Sequence, residues 1–97
     1  MLTKKERNED MYKAIAELQS VEECIQFFED LCTVSELMAM EQRFQVASYL
    51  DDGLPYSDIR EETGASSTTI TRVHRSLQYG KGGYALALSR LKGGKEL

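Results

Sequence analysis

The side chains best suited to chemistry in this 97-residue chain are hydroxyls and guanidinium groups in its C-terminal half. They are Ser67, Thr68, Thr71, Arg72 and Arg75. Hydroxyls can donate or accept hydrogen bonds at base edges, whereas guanidinium groups form charge-assisted bonds with phosphate. No acidic residue occurs from Ala65 to Tyr79, so nothing in this segment would repel an anion. The pattern predicts a surface that binds DNA.

These side chains need a helix to hold them on one face. Ile70, Val73 and Leu77 follow one another at spacings of three and four, which is the apolar stripe of an amphipathic helix. Ser66 precedes the stripe and is a suitable N-cap, because its hydroxyl can accept a backbone N–H. The hydroxyls therefore cluster at the N-terminal end of the helix, where backbone N–H groups also favour phosphate.

A shorter helix is predicted just before it. Ile59 is its apolar anchor, and Gly64 permits the left-handed backbone of a helix C-terminus. The distance of these two residues from the apolar stripe is typical of a helix-turn-helix, whose second helix enters the DNA major groove. Two residues depart from the usual pattern. Arg60 stands where a small residue is common, and Thr63 stands where an apolar one is common.

The N-terminal half is predicted to form three more helices. Ser20 and Glu23 have the spacing of a capping box at the start of the second helix, and Ser35 is the N-cap expected for the third, which should end near Gly53. The second helix has an apolar face too broad for a surface helix, so we expect it in the core or at a dimer interface. That face consists of Val21, Cys24, Ile25, Phe28, Leu31 and Cys32.

The helices together predict an all-α protein. Few stretches alternate with period two, and proline occurs once. We predict one domain over residues 1–97, with dimerisation helices in 9–53, a helix-turn-helix in 55–79 and a C-terminal helix in 84–92. A basic glycine-rich loop, residues 80–83, separates the last two parts.

Charge is distributed unevenly along the chain, whose formal net charge is −4. Residues 1–62 contain 15 acidic and 6 basic residues, a formal charge of −9. Residues 63–97 contain 1 acidic and 6 basic residues, a formal charge of +5. A basic C-terminal third could be steered onto phosphate, although acidic N-terminal helices also serve to keep a protein soluble.

Other binding chemistry is poorly represented. Cys24 and Cys32 fall on one predicted helix, about 12 Å apart along its axis, which is too far for a disulfide. No second pair of cysteines or histidines completes a zinc site, so we predict no metal. The sequence shows no secretory signal and no transmembrane run, and reduced cysteines suit a cytoplasmic protein.

The string GASSTTITRVHRSLQ, preceded by a helix carrying EQRF, resembles the Trp repressor superfamily, and most closely its YerC/YecD-like branch. The similarity spans Leu18 to Leu91. It implies a six-helix fold, an intertwined homodimer, and a repressor that binds a palindromic operator in double-stranded DNA. By motif position, the bases would be contacted by Ser67, Thr68, Thr71 and Ser57, and the phosphates by Arg60, Thr69 and Arg72. Arg75 joins the DNA-binding set by its own charge.

The resemblance also concerns a ligand. In Trp repressor, the corepressor tryptophan lies between two arginines, with a threonine and a glycine completing its pocket. The matching positions here hold Thr33, Arg43, Arg72 and Val73. Because valine replaces the glycine, its isopropyl group could occupy the pocket. We therefore predict a vestigial pocket and a protein that needs no tryptophan, with another small effector left open.

An enzyme is the first alternative, and the sequence argues against it. His74 is the only histidine, and its place between Arg72 and Arg75 favours contact with solvent or phosphate. The carboxylates are scattered along amphipathic helices, and nothing pairs a nucleophile with a base.

The second alternative is a helical dimeric protein-interaction module without DNA readout. A protein-binding face should carry aromatic anchors. Residues 66–76 contain none, although Tyr79 and Tyr84 follow closely. The hydroxyls and arginines of that face favour DNA.

Overall fold

The computed structural model describes residues 9–93, which form six α-helices and no strand. The prediction of an all-α, six-helix fold is confirmed. In chain order the helices are α1 (Asp10–Ala16), α2 (Val21–Leu31), α3 (Val34–Asp51), α4 (Tyr56–Thr63), α5 (Ser67–Tyr79) and α6 (Gly83–Lys92).

The contacts divide the chain into two compact units, of which the first ends at Leu37 and the second begins at Met38. The single domain over 1–97 stays a prediction, and its first eight and last four residues lie outside the described part. The helix-turn-helix and α6 both belong to the second unit.

The N-terminal unit begins its helices with local hydrogen bonds. The Ser20 hydroxyl accepts from the backbone N–H of Glu23 at 3.0 Å, which confirms the predicted N-cap of α2. The Glu23 carboxylate accepts from the backbone N–H of Gln19 at 2.8 Å. In an ordinary capping box it would accept from the N–H of the N-cap residue, which is Ser20 here, so the bond is displaced by one residue.

The start of α3 corrects a prediction. Thr33, and not Ser35, caps this helix: its hydroxyl accepts from Glu36 N–H at 3.1 Å, and the Glu36 carboxylate accepts from Thr33 N–H at 2.8 Å. This reciprocal pair is a capping box. Ser35 lies inside the first turn, with its hydroxyl 3.4 Å from that of Thr33. Both residue types can cap, and the threonine prevails because Glu36 stands three residues after it.

The apolar face of α2 is not buried within the chain. No residue of α1 or α2 is buried, and Val21 is 70% exposed. Ile25 and Leu31 are each 50% exposed. Cys24 and Cys32 form no disulfide and are both half-buried. Of the two expected places for this face, the chain's own core is excluded, and the dimer interface remains a prediction.

The second unit contains a hydrophobic core to which α3, α4, α5 and α6 all contribute. Its buried members are Val46, Ala47, Ile59, Ala65, Ile70, Val73 and Leu88. The predicted anchor Ile59 is fully buried, and Leu77 packs against the core from the predicted stripe. Burying each large aliphatic side chain contributes about 1.5–3 kcal/mol, which fixes α4 and α5 onto α3 and α6.

Helix α3 ends at Asp51, close to Gly53 as predicted, and the φ of Gly53 is +86°. Gly53 N–H donates to Leu50 O at 3.0 Å and Leu54 N–H donates to Tyr49 O at 3.1 Å, the two bonds of a Schellman motif. Glycine is required because an L side chain is strained at this φ.

Lys92, the last residue of α6, forms polar contacts with the C-terminal end of α3. Lys92 Nζ donates to Ser48 O at 2.8 Å and lies 2.9 Å from Asp52 and 3.2 Å from Asp51. The hydrogen bond to Asp52 raises the pKa of Lys92 against the opposing effect of desolvation, and Asp51 adds to the rise. The ammonium group thus stabilises the negative end of the α3 dipole.

Candidate nucleic-acid interface

The turn between α4 and α5 is built as the sequence predicts. Gly64 ends α4 with a φ of +74°, in the left-handed region. The Ser66 hydroxyl accepts from Thr69 N–H at 3.1 Å and so caps α5. The two helices of the helix-turn-helix therefore meet at a turn that its own residues define.

Thr63, which departs from the usual apolar pattern, closes the turn with polar contacts. Its hydroxyl donates to Ile59 O at 2.7 Å and accepts from Ala65 N–H at 3.1 Å. The side-chain amide of Gln42, on α3, donates to Thr63 O at 3.1 Å. A threonine is tolerated at this half-buried position because each of its polar atoms has a partner.

The exposed face of α5 forms one open depression. It is lined by Ser67, Thr68, Thr71, Arg72, Arg75 and Ser76. Five of these six residues are in the predicted DNA-binding set, and all six are exposed. Ser76 was missed, although it follows Arg72 by four residues and so shares its face of the helix. Hydroxyls and two guanidinium groups thus line one surface with no carboxylate among them.

The remaining predicted residues have separate surroundings. Thr69 is half-buried and its hydroxyl accepts from that of Ser66 at 3.2 Å, which places it in the cap of α5. Ser57 is exposed on the first turn of α4. Arg60 is exposed near the end of α4, and its guanidinium donates to the hydroxyl of Ser67 at 2.9 Å.

His74 corrects another prediction. Its Nδ1 lies 2.8 Å from the hydroxyl of Tyr56, and the two rings meet edge to face with centroids 6.0 Å apart. The histidine is half-buried between α4 and α5. The sequence had instead favoured contact with solvent or phosphate. The role of His74 is therefore to hold the first turn of α4 against α5. The sequence signal was present, since His74 follows the buried Val73 and Ile70 on the inner side of the helix.

The four residues matched to a ligand pocket lie in different surroundings. Arg43 is exposed on α3 and Arg72 is exposed on α5, whereas Val73 is 2% exposed and belongs to the core. Thr33 belongs to the N-terminal unit, where its hydroxyl caps α3. The vestigial ligand pocket therefore stays a prediction, in which Val73 stands where a glycine completes the pocket.

Two further properties bound the chemistry. No cluster of His, Cys, Asp and Glu side chains within residues 9–93 could hold a metal ion. None of the helices in the described part of the chain is long and apolar enough to cross a membrane.

The fold and the polar face of α5 define a helix-turn-helix protein. Residues 6–92 match the family model described as Trp repressor protein, and the chain therefore belongs to the Trp repressor family. The family is a regulatory one rather than a family of enzymes. The resemblance inferred from the sequence is confirmed.

Similar proteins are known in several bacteria. The chain is 45% identical over 84 residues to the uncharacterised protein YerC of Bacillus subtilis, a match that covers 87% of this chain and 81% of YerC. It is 46% identical to a TrpR-like protein from Eubacterium eligens, whose crystal structure has a TM-score of 0.83 with 88% of each chain covered. A Staphylococcus aureus protein of known crystal structure is 45% identical in sequence. Its structure has a TM-score of 0.84, with 94% of each chain covered.

Proposed function

We propose that this protein is a sequence-specific DNA-binding transcriptional regulator of the repressor type, with α5 as its recognition helix. The observation that carries the proposal is the open depression on α5, where hydroxyls and guanidinium groups line one exposed face. A major groove admits a helix with such a face, and its base edges and flanking phosphates are complementary to these groups. Membership of the Trp repressor family supports the same reading.

The side chains divide the work by their chemistry. Arg72 and Arg75, together with Arg60 from α4, would contact phosphates and supply affinity that falls steeply with salt. Ser67, Thr68 and Thr71 would supply specificity through hydrogen bonds to base edges, directly or through bridging water. Thr69 and Ser57 would contribute secondary contacts from the cap of α5 and from the start of α4.

We infer that the active form is a homodimer. The exposed apolar face of α2 supports this, because a contiguous apolar face on a soluble protein marks an interaction surface. A two-fold dimer would present two copies of α5 to successive major grooves, and its operator would be palindromic with half-sites about 34 Å apart.

The protein is proposed to act without tryptophan. Val73 is packed in the core with Ile70 and Ile59, so its side chain holds α5 in place whether or not a ligand is present. Isothermal titration should therefore detect no tryptophan binding in the micromolar range. Micromolar binding would contradict this part of the proposal. Binding of an effector with different chemistry would not contradict it.

The experiment that tests the proposal is selection from random duplex DNA by the purified protein near physiological salt, without added ligand. We expect enrichment of a palindrome. If a palindrome is enriched only when a small effector is added, regulation depends on that effector. If no sequence is enriched under either condition, the alternative of a dimeric protein-interaction module is favoured, and the exposed Tyr79 at the end of α5 would be its first candidate anchor.

A further inference from the structure

A hydrogen bond between two exposed side chains joins α4 to α5. The guanidinium Nη1 of Arg60, on α4, donates a hydrogen bond to the hydroxyl oxygen of Ser67, the first residue of α5, at 2.9 Å. Ser67 also lines the depression proposed to face DNA. We propose that Arg60 determines specificity, because it biases the Ser67 hydroxyl toward donating its hydrogen bond to the bases. The inference rests on the proposed function.

The direction of the hydrogen bond follows from the chemistry of the two groups. A serine hydroxyl can donate one hydrogen bond and accept two, so alone it reads donors and acceptors equally well. Arginine has five N–H donors and no acceptor. The hydroxyl of Ser67 must therefore accept from Arg60, and its own hydrogen must point away from the guanidinium.

The surroundings strengthen this polarity. A hydroxyl that accepts a bond from a cation becomes a better donor through its own O–H, because hydrogen bonds in a chain polarise one another. Ser67 also stands in the first turn of α5, where the helix dipole gives a positive potential. Both effects favour an electron-rich partner for the Ser67 hydroxyl.

The consequence can be stated in terms of base edges. In the major groove, guanine presents N7 and O6 as acceptors, thymine presents O4 and adenine presents N7, whereas cytosine presents only its N4 donor. Arg60 occupies one of the two lone pairs of the Ser67 hydroxyl and leaves its O–H to donate. Ser67 would therefore favour guanine, thymine and adenine over cytosine, whose N4 donor could bond only the remaining lone pair. Arg60 keeps further N–H donors for a backbone phosphate, so it can orient Ser67 and bind phosphate together.

The test compares Arg60→Met, Ser67→Ala, the double variant and Arg75→Met. Methionine removes every donor and the charge but keeps an unbranched side chain. Arg75→Met is the matched control, since Arg75 lines the same depression and makes no hydrogen bond with Ser67 in the described part of the chain. Each variant is first shown to be folded by circular dichroism. Its affinity is then measured by fluorescence anisotropy for the selected site and for its single-base variants.

Ser67→Ala identifies the base pair that Ser67 reads, as the one where preference is lost. We expect wild-type protein to disfavour cytosine there by about two- to tenfold, the effect of one net hydrogen bond. Arg60→Met should abolish this discrimination and also weaken binding to every sequence. Arg75→Met should also weaken binding to every sequence, but it should keep the discrimination against cytosine. In the Ser67→Ala background, Arg60→Met should change no base preference further.

Three results would overturn the inference while leaving the proposed function intact. They are a preference for cytosine at the Ser67 base pair, no base pair affected by Ser67→Ala, and identical base preferences in Arg60→Met and Arg75→Met. If the wild-type protein selects no DNA sequence, the proposed function itself is wrong, and the inference is overturned with it.

Discussion

Arg72 and Val73 are neighbours in sequence with opposite surroundings. Arg72 is exposed in the depression on α5, whereas Val73 is buried in the core. A helix turns through about 100° per residue, so the residue that follows an exposed one can be turned into the core. Val73 therefore anchors α5 in the core, whereas Arg72 stays exposed on its outer face. Substitutions at the exposed positions of α5 should change DNA binding with little effect on stability.

Arg72→Ala should weaken binding to all DNA sequences by about tenfold, because a charge-assisted hydrogen bond contributes about 1.5 kcal/mol or more. The slope of log affinity against log salt concentration should fall by about one. Fluorescence anisotropy over a salt series measures both. Arg90→Ala removes an exposed arginine on α6 and serves as the control, for which we expect wild-type affinity.

Thr71→Ala should give a different result at the neighbouring position. Removing a hydroxyl that reads bases should alter the preferred sequence while leaving the salt slope unchanged. The docking model for α5 is wrong if Arg72→Ala binds as tightly as wild type at physiological salt, or if Thr71→Ala selects an unchanged operator.

At the scale of helices, the ends are where neighbouring residue types compete. Thr33 and Ser35 are both able to cap α3, and only Thr33 has a glutamate three residues later to complete the reciprocal pair. Thr33→Ala should lower the free energy of unfolding by about 1 kcal/mol. Ser35→Ala should have a much smaller effect. Chemical denaturation measures both, and equal losses would contradict the assignment of the cap.

The connection between α5 and α6 gives a second prediction for helix ends. A Cβ added at Gly80 would clash with the backbone oxygen of Ser76, whereas one added at Gly83 meets nothing within 4 Å. Gly80→Ala should lower the free energy of unfolding by about 1–3 kcal/mol, because backbone must shift to relieve the clash.

Gly83→Ala is the matched control for that substitution. Gly83 is the first residue of α6, and alanine loses less conformational entropy there on folding. The variant should be as stable as wild type or more stable by up to about 1 kcal/mol. A Gly80→Ala protein of wild-type stability would show that the α5–α6 connection relaxes at no cost.

At the scale of the whole molecule, the N-terminal unit lacks buried residues in α1 and α2. Such helices cannot be stabilised by their own chain alone, since helix stability in proteins comes mostly from packing of an apolar face. Association with a second copy would bury Val21, Ile25 and Leu31. Within each chain of such a dimer, residues 1–62 would carry the net negative charge and residues 63–97 the net positive charge.

Ile25→Glu should therefore convert a dimer into a monomer, because it places a charge in a surface that must be dry. Gln26→Glu adds the same charge at the adjacent exposed residue and should leave the dimer intact. Sedimentation equilibrium gives the mass of each variant. A wild-type monomer at micromolar concentration, or an Ile25→Glu dimer, would contradict the proposed assembly.

The amino-acid sequence determined the features that depend on residues close together in the chain. The all-α class, the turn at Gly64, the cap at Ser66 and the buried stripe of Ile70 and Val73 all follow from helical periodicity and local hydrogen bonding. The polar face of α5 follows from the same periodicity, which is why five of its six residues could be predicted.

The tertiary structure alone decided the contacts between separate helices. The Tyr56–His74 and Arg60–Ser67 bonds both cross the turn, and the Gln42–Thr63 bond joins α3 to it. Whether such groups meet depends on how two helices pack and how far each side chain reaches, and neither is encoded in spacing along one helix. For that reason the sequence could suggest a phosphate contact for Arg60 but could not predict its hydrogen bond to Ser67.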